Sequence, residues 1–103
     1  MVNEIARVIG TIERISRKSD KFLDEPNKSK GSLKFYNDPR YFIVDDIDDP
    51  DMPTTETEIL LTYEFWDWNK SEDEVKKCYR AKNIRPTAEV DEVELEGVER
   101  IKS

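Results

Sequence analysis

The sequence predicts an all-β protein: an OB-like barrel of five strands with a short helix between the third and fourth. Three observations point there. Apolar and polar residues alternate at period two in residues 57–68 and again in 92–101, the spacing that turns one face of a strand inward. β-Branched residues crowd the segment 6–15 around one internal glycine, Gly10. Turn formers separate such runs, at Gly31, at Asn37-Asp38-Pro39 and in an aspartate-rich stretch holding Pro50 and Pro53.

Composition sets the bounds. The 103 residues, 36% hydrophobic and 40% charged, fit a single domain, 1–103, with one modest core. A chain of this size buries roughly two-thirds of its unfolded surface, so it is expected to fold alone but without spare stability. Lys and Arg number 17 against 24 Asp and Glu, a formal charge of -7. The charge is uneven: residues 1–40 hold 9 basic and 6 acidic side chains (+3), and residues 41–103 hold 8 and 18 (-10). That excludes a uniformly basic nucleic-acid binder but leaves room for one face that meets an anion and another that repels it. With no histidine and a single cysteine, Cys78, neither an internal disulfide nor a Cys/His zinc site can form, and no cofactor is expected. No run of about 18 apolar residues is present, and the amino terminus lacks a charged-then-apolar pattern. A cytoplasmic setting without a membrane partner is the expectation.

Taken in order, Ala6 to Ile15 reads as a strand bending at Gly10, so that one strand serves two sides of a curled sheet. Ser16 to Ser32 is a long basic loop carrying Arg17, Lys18, Lys21, Lys28 and Lys30, with Phe22 and Leu23 able to tuck it against the body. Leu33 to Tyr36 and Tyr41 to Val44 are strand pieces, either one bulged strand or a small hairpin. Asp45, Asp46, Asp48, Asp49 and Asp51 form an acidic loop; it lacks the spacing and closing glutamate of an EF-hand, so no metal is assigned. In residues 57–68, Ile59, Leu61, Tyr63 and Phe65 form the core face, and Leu60, Thr62, Glu64, Trp66 and Trp68 the other. Ser71-Glu72-Asp73-Glu74 fits a capping box, which predicts a helix starting there, with Lys76, Lys77, Arg80 and Lys82 following and a narrow stripe of Val75, Cys78 and Tyr79, before Pro86 closes the connection. Cys78 is then a core residue. The last segment alternates Val93, Leu95 and Ile101 against Glu92, Glu94 and Glu96 around Gly97, predicting a half-buried strand, preceded by a short one near Thr87 to Val90.

A glycine-bent first strand, a long first loop and a helix ahead of the fourth strand is the order of the five-stranded OB barrel, with small SH3-like barrels and α+β sheets as the competing readings. The residues also resemble a known family. Val8-Ile9-Gly10-Thr11-Ile12, Tyr41-Phe42-Ile43-Val44-Asp45-Asp46, a strand ending in Trp66, and Val93-Glu94-Leu95-Glu96-Gly97-Val98-Glu99-Arg100 are similar to the OB domains of replication protein A, particularly its middle subunit, and to telomeric single-strand-binding domains. The departures are Ile47 and further aspartates after Asp-Asp, where the family often has Gly, Ser or Thr, and a proline-rich acidic loop. The resemblance implies an accessory factor in DNA replication, repair or end maintenance, with Trp66 contacting single-stranded DNA.

Independently of the resemblance, two indoles on a non-core strand face could stack bases, at roughly 1–3 kcal/mol each, or could close the barrel end. Lys34, Arg14, Arg17 and Lys18 could neutralise phosphates, and so could Arg7, Arg40 and the other loop lysines. Tyr36 and Tyr41 are further stacking candidates, and Arg100 could reach the same groove. The candidate nucleic-acid-binding set is therefore Trp66, Trp68, Tyr36, Lys34, Arg14, Arg17, Lys18 and Arg100. No enzyme is expected, because nothing activates a nucleophile and no carboxylate pair stands out. Two alternatives compete: a protein-interaction subunit or homo-oligomer that uses the tryptophans as interface anchors, and an acidic viral inhibitor that mimics nucleic acid with carboxylates.

Overall fold

A computed structural model describes residues 4–17, 30–71 and 74–102. Six strands account for most of it: β1 (Glu4–Arg17), β2 (Gly31–Phe35), β3 (Phe42–Val44), β4 (Glu58–Ser71), β5 (Glu74–Pro86) and the two-residue β6 (Glu99–Arg100). β1 pairs antiparallel with β4 through Glu4 to Thr11, then antiparallel with β2 from Ile12 to Arg17, with an irregularity between Ile12 and Arg14. β2 pairs antiparallel with β3, β3 pairs parallel with β5, and β5 returns antiparallel to β4. The ring 1-2-3-5-4-1 is closed. It is the all-β barrel expected, with OB-like strand order, and β6 is added outside it against β1.

The first strand changes partner between Thr11 and Ile12, just past Gly10, so one strand serves two sides of the sheet, and its irregularity falls between Ile12 and Arg14, not at the glycine. The two pieces after the basic loop form a hairpin, not one bulged strand. Inside the barrel, Val8, Ile12, Leu33, Phe35, Phe42, Val44, Ile47, Ile59, Leu61 and Tyr63 make the main core. Each large side chain so buried contributes roughly 1.5–3 kcal/mol. Phe42 and Tyr63 meet edge to face at 5.1 Å between ring centroids, and Tyr79 joins both at 5.7 and 6.0 Å.

Three sequence expectations are corrected. Residues 74–82 are not helical; they belong to β5, and Tyr79, Ala81 and Ile84 pack on the core. An irregularity opposite Thr62 and Tyr63 shifts the parity of β5, so Tyr79 and Ala81 point in before it and Ile84 after it. That shift broke the alternation that would have revealed a strand. Burying Tyr79 among aromatic rings then outweighs local helix preference, which spans well under 1 kcal/mol per residue. Secondly, the segment read as a final strand is a one-turn helix, α1 (Glu92–Leu95), followed by β6, and Thr87–Glu89 is a 3-10 turn, not a short strand. Backbone bonds from Glu94 to Asp91, Glu96 to Val93 and Val98 to Leu95 hold this arm. Its coiling brings Val90, Leu95 and Val98 together over Ile9 and Leu60, which face outward from β1 and β4. Leu60 is accordingly buried although it lies off the main core face. Thirdly, the helical turns follow the fifth barrel strand and do not lie between the third and fourth.

Phe22 and Leu23 lie outside the described residues. Among the described residues, no helix is long and apolar enough to cross a membrane.

Candidate nucleic-acid interface

The strand registers align residues into rows across the barrel's outer face. One row is Ser16, Ser32, Ile43, Arg80 and Glu64, each paired with the next from β1 through β2, β3 and β5 to β4. Beside it run Arg14 paired with Lys34, then Tyr41 ahead of β3, and Cys78 paired with Trp66. Four strand spacings make this second row about 19 Å wide. The arm after β5 covers β1 and β4 around Ile9 and Leu60 and leaves these rows uncovered.

Within the second row the chain entering β3 diverges from β5 and opens a surface cleft of ≈ 570 Å³, lined by Pro39, Arg40, Tyr41, Ile43, Lys77, Cys78 and Tyr79. Tyr41 is 51% exposed at its rim. Trp66 is half-buried, and the Arg80 guanidinium carbon lies 5.9 Å from its ring centroid, a cation–π distance. Arg80 Nε lies 3.6 Å from Asp45 Oδ2, too far for a hydrogen bond, and this buried donor has no acceptor among the described residues. Lys77 is exposed on the cleft wall.

Arg40 closes the cleft floor. Its guanidinium carbon lies 5.2, 5.5 and 5.6 Å from the ring centroids of Phe42, Tyr63 and Tyr79. Nε donates to both Asp38 oxygens at 3.0 Å, Nη2 donates to Oδ2 at 2.7 Å, and Nη1 donates to the Tyr63 hydroxyl at 3.0 Å. Burial on its own would raise the Asp38 carboxyl pKa, but the hydrogen bonds and charge of Arg40 outweigh it and hold that carboxyl below its ordinary value. Burial likewise opposes the Arg40 charge, and Asp38 more than offsets it, so the guanidinium is held more firmly protonated than usual.

No family model, curated protein or solved structure matches the chain. Function has to be read from the surface.

The expected site residues divide. Trp66, Arg14 and Lys34 share the row with Tyr41. Lys34 is partly spent: Nζ lies 3.5 Å from Glu13 Oε1 and donates to the Phe35 carbonyl at 3.1 Å. Arg17, at the end of β1, forms an ion pair with Asp48 of the acidic loop. Tyr36 is elsewhere: its hydroxyl donates to Glu56, and that hydrogen bond, a minor burial effect and the charges of Glu56 and Glu13 push its pKa up. Arg100 lies 3.8 Å from Glu58, itself eight residues and about 26 Å along β4 from Trp66. Trp68 of β4 pairs with Lys76 of β5; its side chain, and the whole of Lys18, lie outside the described residues.

Cys78, Arg80 and Lys77 were missed as site residues. The helix reading placed Cys78 in the core, whereas it is half-buried on the cleft wall. The signal for it was present: Tyr79 and Ala81 alternate, and a strand through them puts Cys78 and Arg80 on the face of Trp66.

Proposed function

We propose that this barrel binds single-stranded nucleic acid across the row from Arg14 to Trp66, as an accessory, non-enzymatic factor. What carries the reading is the pair of aromatic side chains, Tyr41 at the cleft rim and Trp66 across Cys78, with Arg80 against the indole and Lys77 on the cleft wall. Strands 2 and 3 of an OB barrel form the face on which such folds take oligonucleotides. Bases stacked on the two rings would be worth roughly 1–3 kcal/mol each, and Arg80, Lys77 and Arg14 would follow the backbone. The resemblance to replication protein A domains points the same way. The test is a titration with oligothymidylate at low salt. Tryptophan fluorescence should be quenched, affinity should fall as salt rises, and Trp66→Ala should weaken binding about tenfold or more. Undiminished binding by Trp66→Ala, or no quenching at low salt, overturns the proposal.

One observation favours a second reading, a protein-interaction subunit. Arg17, Lys34, Arg40, Arg80, Lys82, Arg85 and Arg100 each lie within 4 Å of a carboxylate, which reduces what is left for phosphates. Tyr41 and Trp66 would then anchor a protein partner or a second copy. Light scattering that gives a dimeric mass, with no oligonucleotide binding, selects this reading.

A further inference from the structure

The acidic loop after β3 engages two of the cations that border the nucleic-acid row. Asp45 Oδ2 lies 3.6 Å from Arg80 Nε, and Asp48 is ion-paired with Arg17 at the far end of β1. Arg80 continues the row of Ser16, Ser32 and Ile43 at its β5 end, and Arg17 follows Ser16 at its β1 end, paired with Gly31, so one loop reaches both ends of that row. Both contacts are accessible: the side chains of Arg80 and Asp45 are 37% and 54% exposed, and those of Arg17 and Asp48 are 66% and 39% exposed. Ion pairs this open are weak and give way to a better partner. For Arg80 a better partner is easy to name, because Asp45 at 3.6 Å is too far to accept a hydrogen bond from its buried Nε. The side chain as a whole is 37% exposed, and carboxylate and phosphate compete for the open part of the same planar fork.

We infer that the loop carrying Asp45 and Asp48 is an intramolecular competitor of the nucleic-acid backbone, holding Arg80 and Arg17 until phosphates displace it. This rests on the nucleic-acid reading above and adds its regulation. The chain's excess of acid then has a local function. It sets a threshold that a short or weakly charged ligand fails to cross, while a longer strand engages both arginines together.

The test compares three proteins on an oligothymidylate of about 16 nucleotides. These are the wild type, Asp45→Asn/Asp48→Asn, and Glu92→Gln/Glu96→Gln as a charge-matched control whose exposed carboxylates lie on the carboxy-terminal arm. The loop variant should bind about threefold to tenfold tighter. Its salt dependence should steepen by about 0.7 in logarithmic slope per freed arginine, because each then releases a counterion on meeting phosphate. The control should move far less. Wild-type binding with no gain in the loop variant, or an equal gain in the control, overturns the competition and leaves the binding face standing. Absence of binding by all three overturns the binding face and the competition with it.

Discussion

Gly10 stands two residues before β1 leaves β4 for β2, and a β-carbon there would lie 2.7 Å from Phe35 Cγ. Phe35 is fully buried, so its ring cannot retreat without disturbing Phe42, 5.5 Å away. Gly10→Ala should therefore cost about 1–3 kcal/mol, seen as a lower urea midpoint with unchanged slope; an unchanged midpoint would refute the close approach. Single residues were legible in the sequence where their role is local. A glycine in a β-branched run and a tryptophan out of phase with Ile59, Leu61 and Tyr63 can be placed without knowing the fold. Tyr36 and Arg100 could not be placed that way. Their surroundings are set by Glu56 and Glu58, carboxylates far away in the chain that the topology brings alongside.

At the scale of elements, the turn between β2 and β3 is pinned by Asp38 and Arg40, whose guanidinium touches rings from β3, β4 and β5. Asp38 is 6% exposed, so removing it leaves a cation half-buried against aromatic faces. Asp38→Ala should cost about 2–3 kcal/mol, below the usual figure for a broken buried pair because Arg40 keeps some access to water. The pH dependence has a definite sign. A carboxyl whose folded pKa lies below its unfolded value, near 3.9, adds stability that is whole above that pH and fades as pH falls through the folded value. Wild-type stability should accordingly drop more steeply than that of Asp38→Ala as pH falls below about 4 in urea titrations. Parallel losses would show that Asp38 is not the group responsible. The elements themselves were legible where periodicity ran unbroken, as in β1 and β4. They were hidden where a register shift interrupted it, as in β5, and where acidic residues at every second position imitated a strand, as in α1.

For the whole molecule, the all-β class and a closed barrel could be read from strand count, loop placement and the bent first strand. Which strand closes the ring could not. The parallel meeting of β3 with β5 depends on contacts between residues some 37 positions apart in sequence, such as Phe42 with Tyr79 and Ile43 with Arg80, and no local pattern encodes that. Among the described residues only those two pairs are in register between β3 and β5, whereas β4 and β5 are zipped along nearly their whole length. The barrel therefore has a seam. The cleft opens at the end of that seam, with Tyr41 on one lip and Cys78 on the other. A molecule lying from lip to lip would fasten the cylinder as a clasp fastens a bracelet, and whatever tightened the ring would tighten its hold in return.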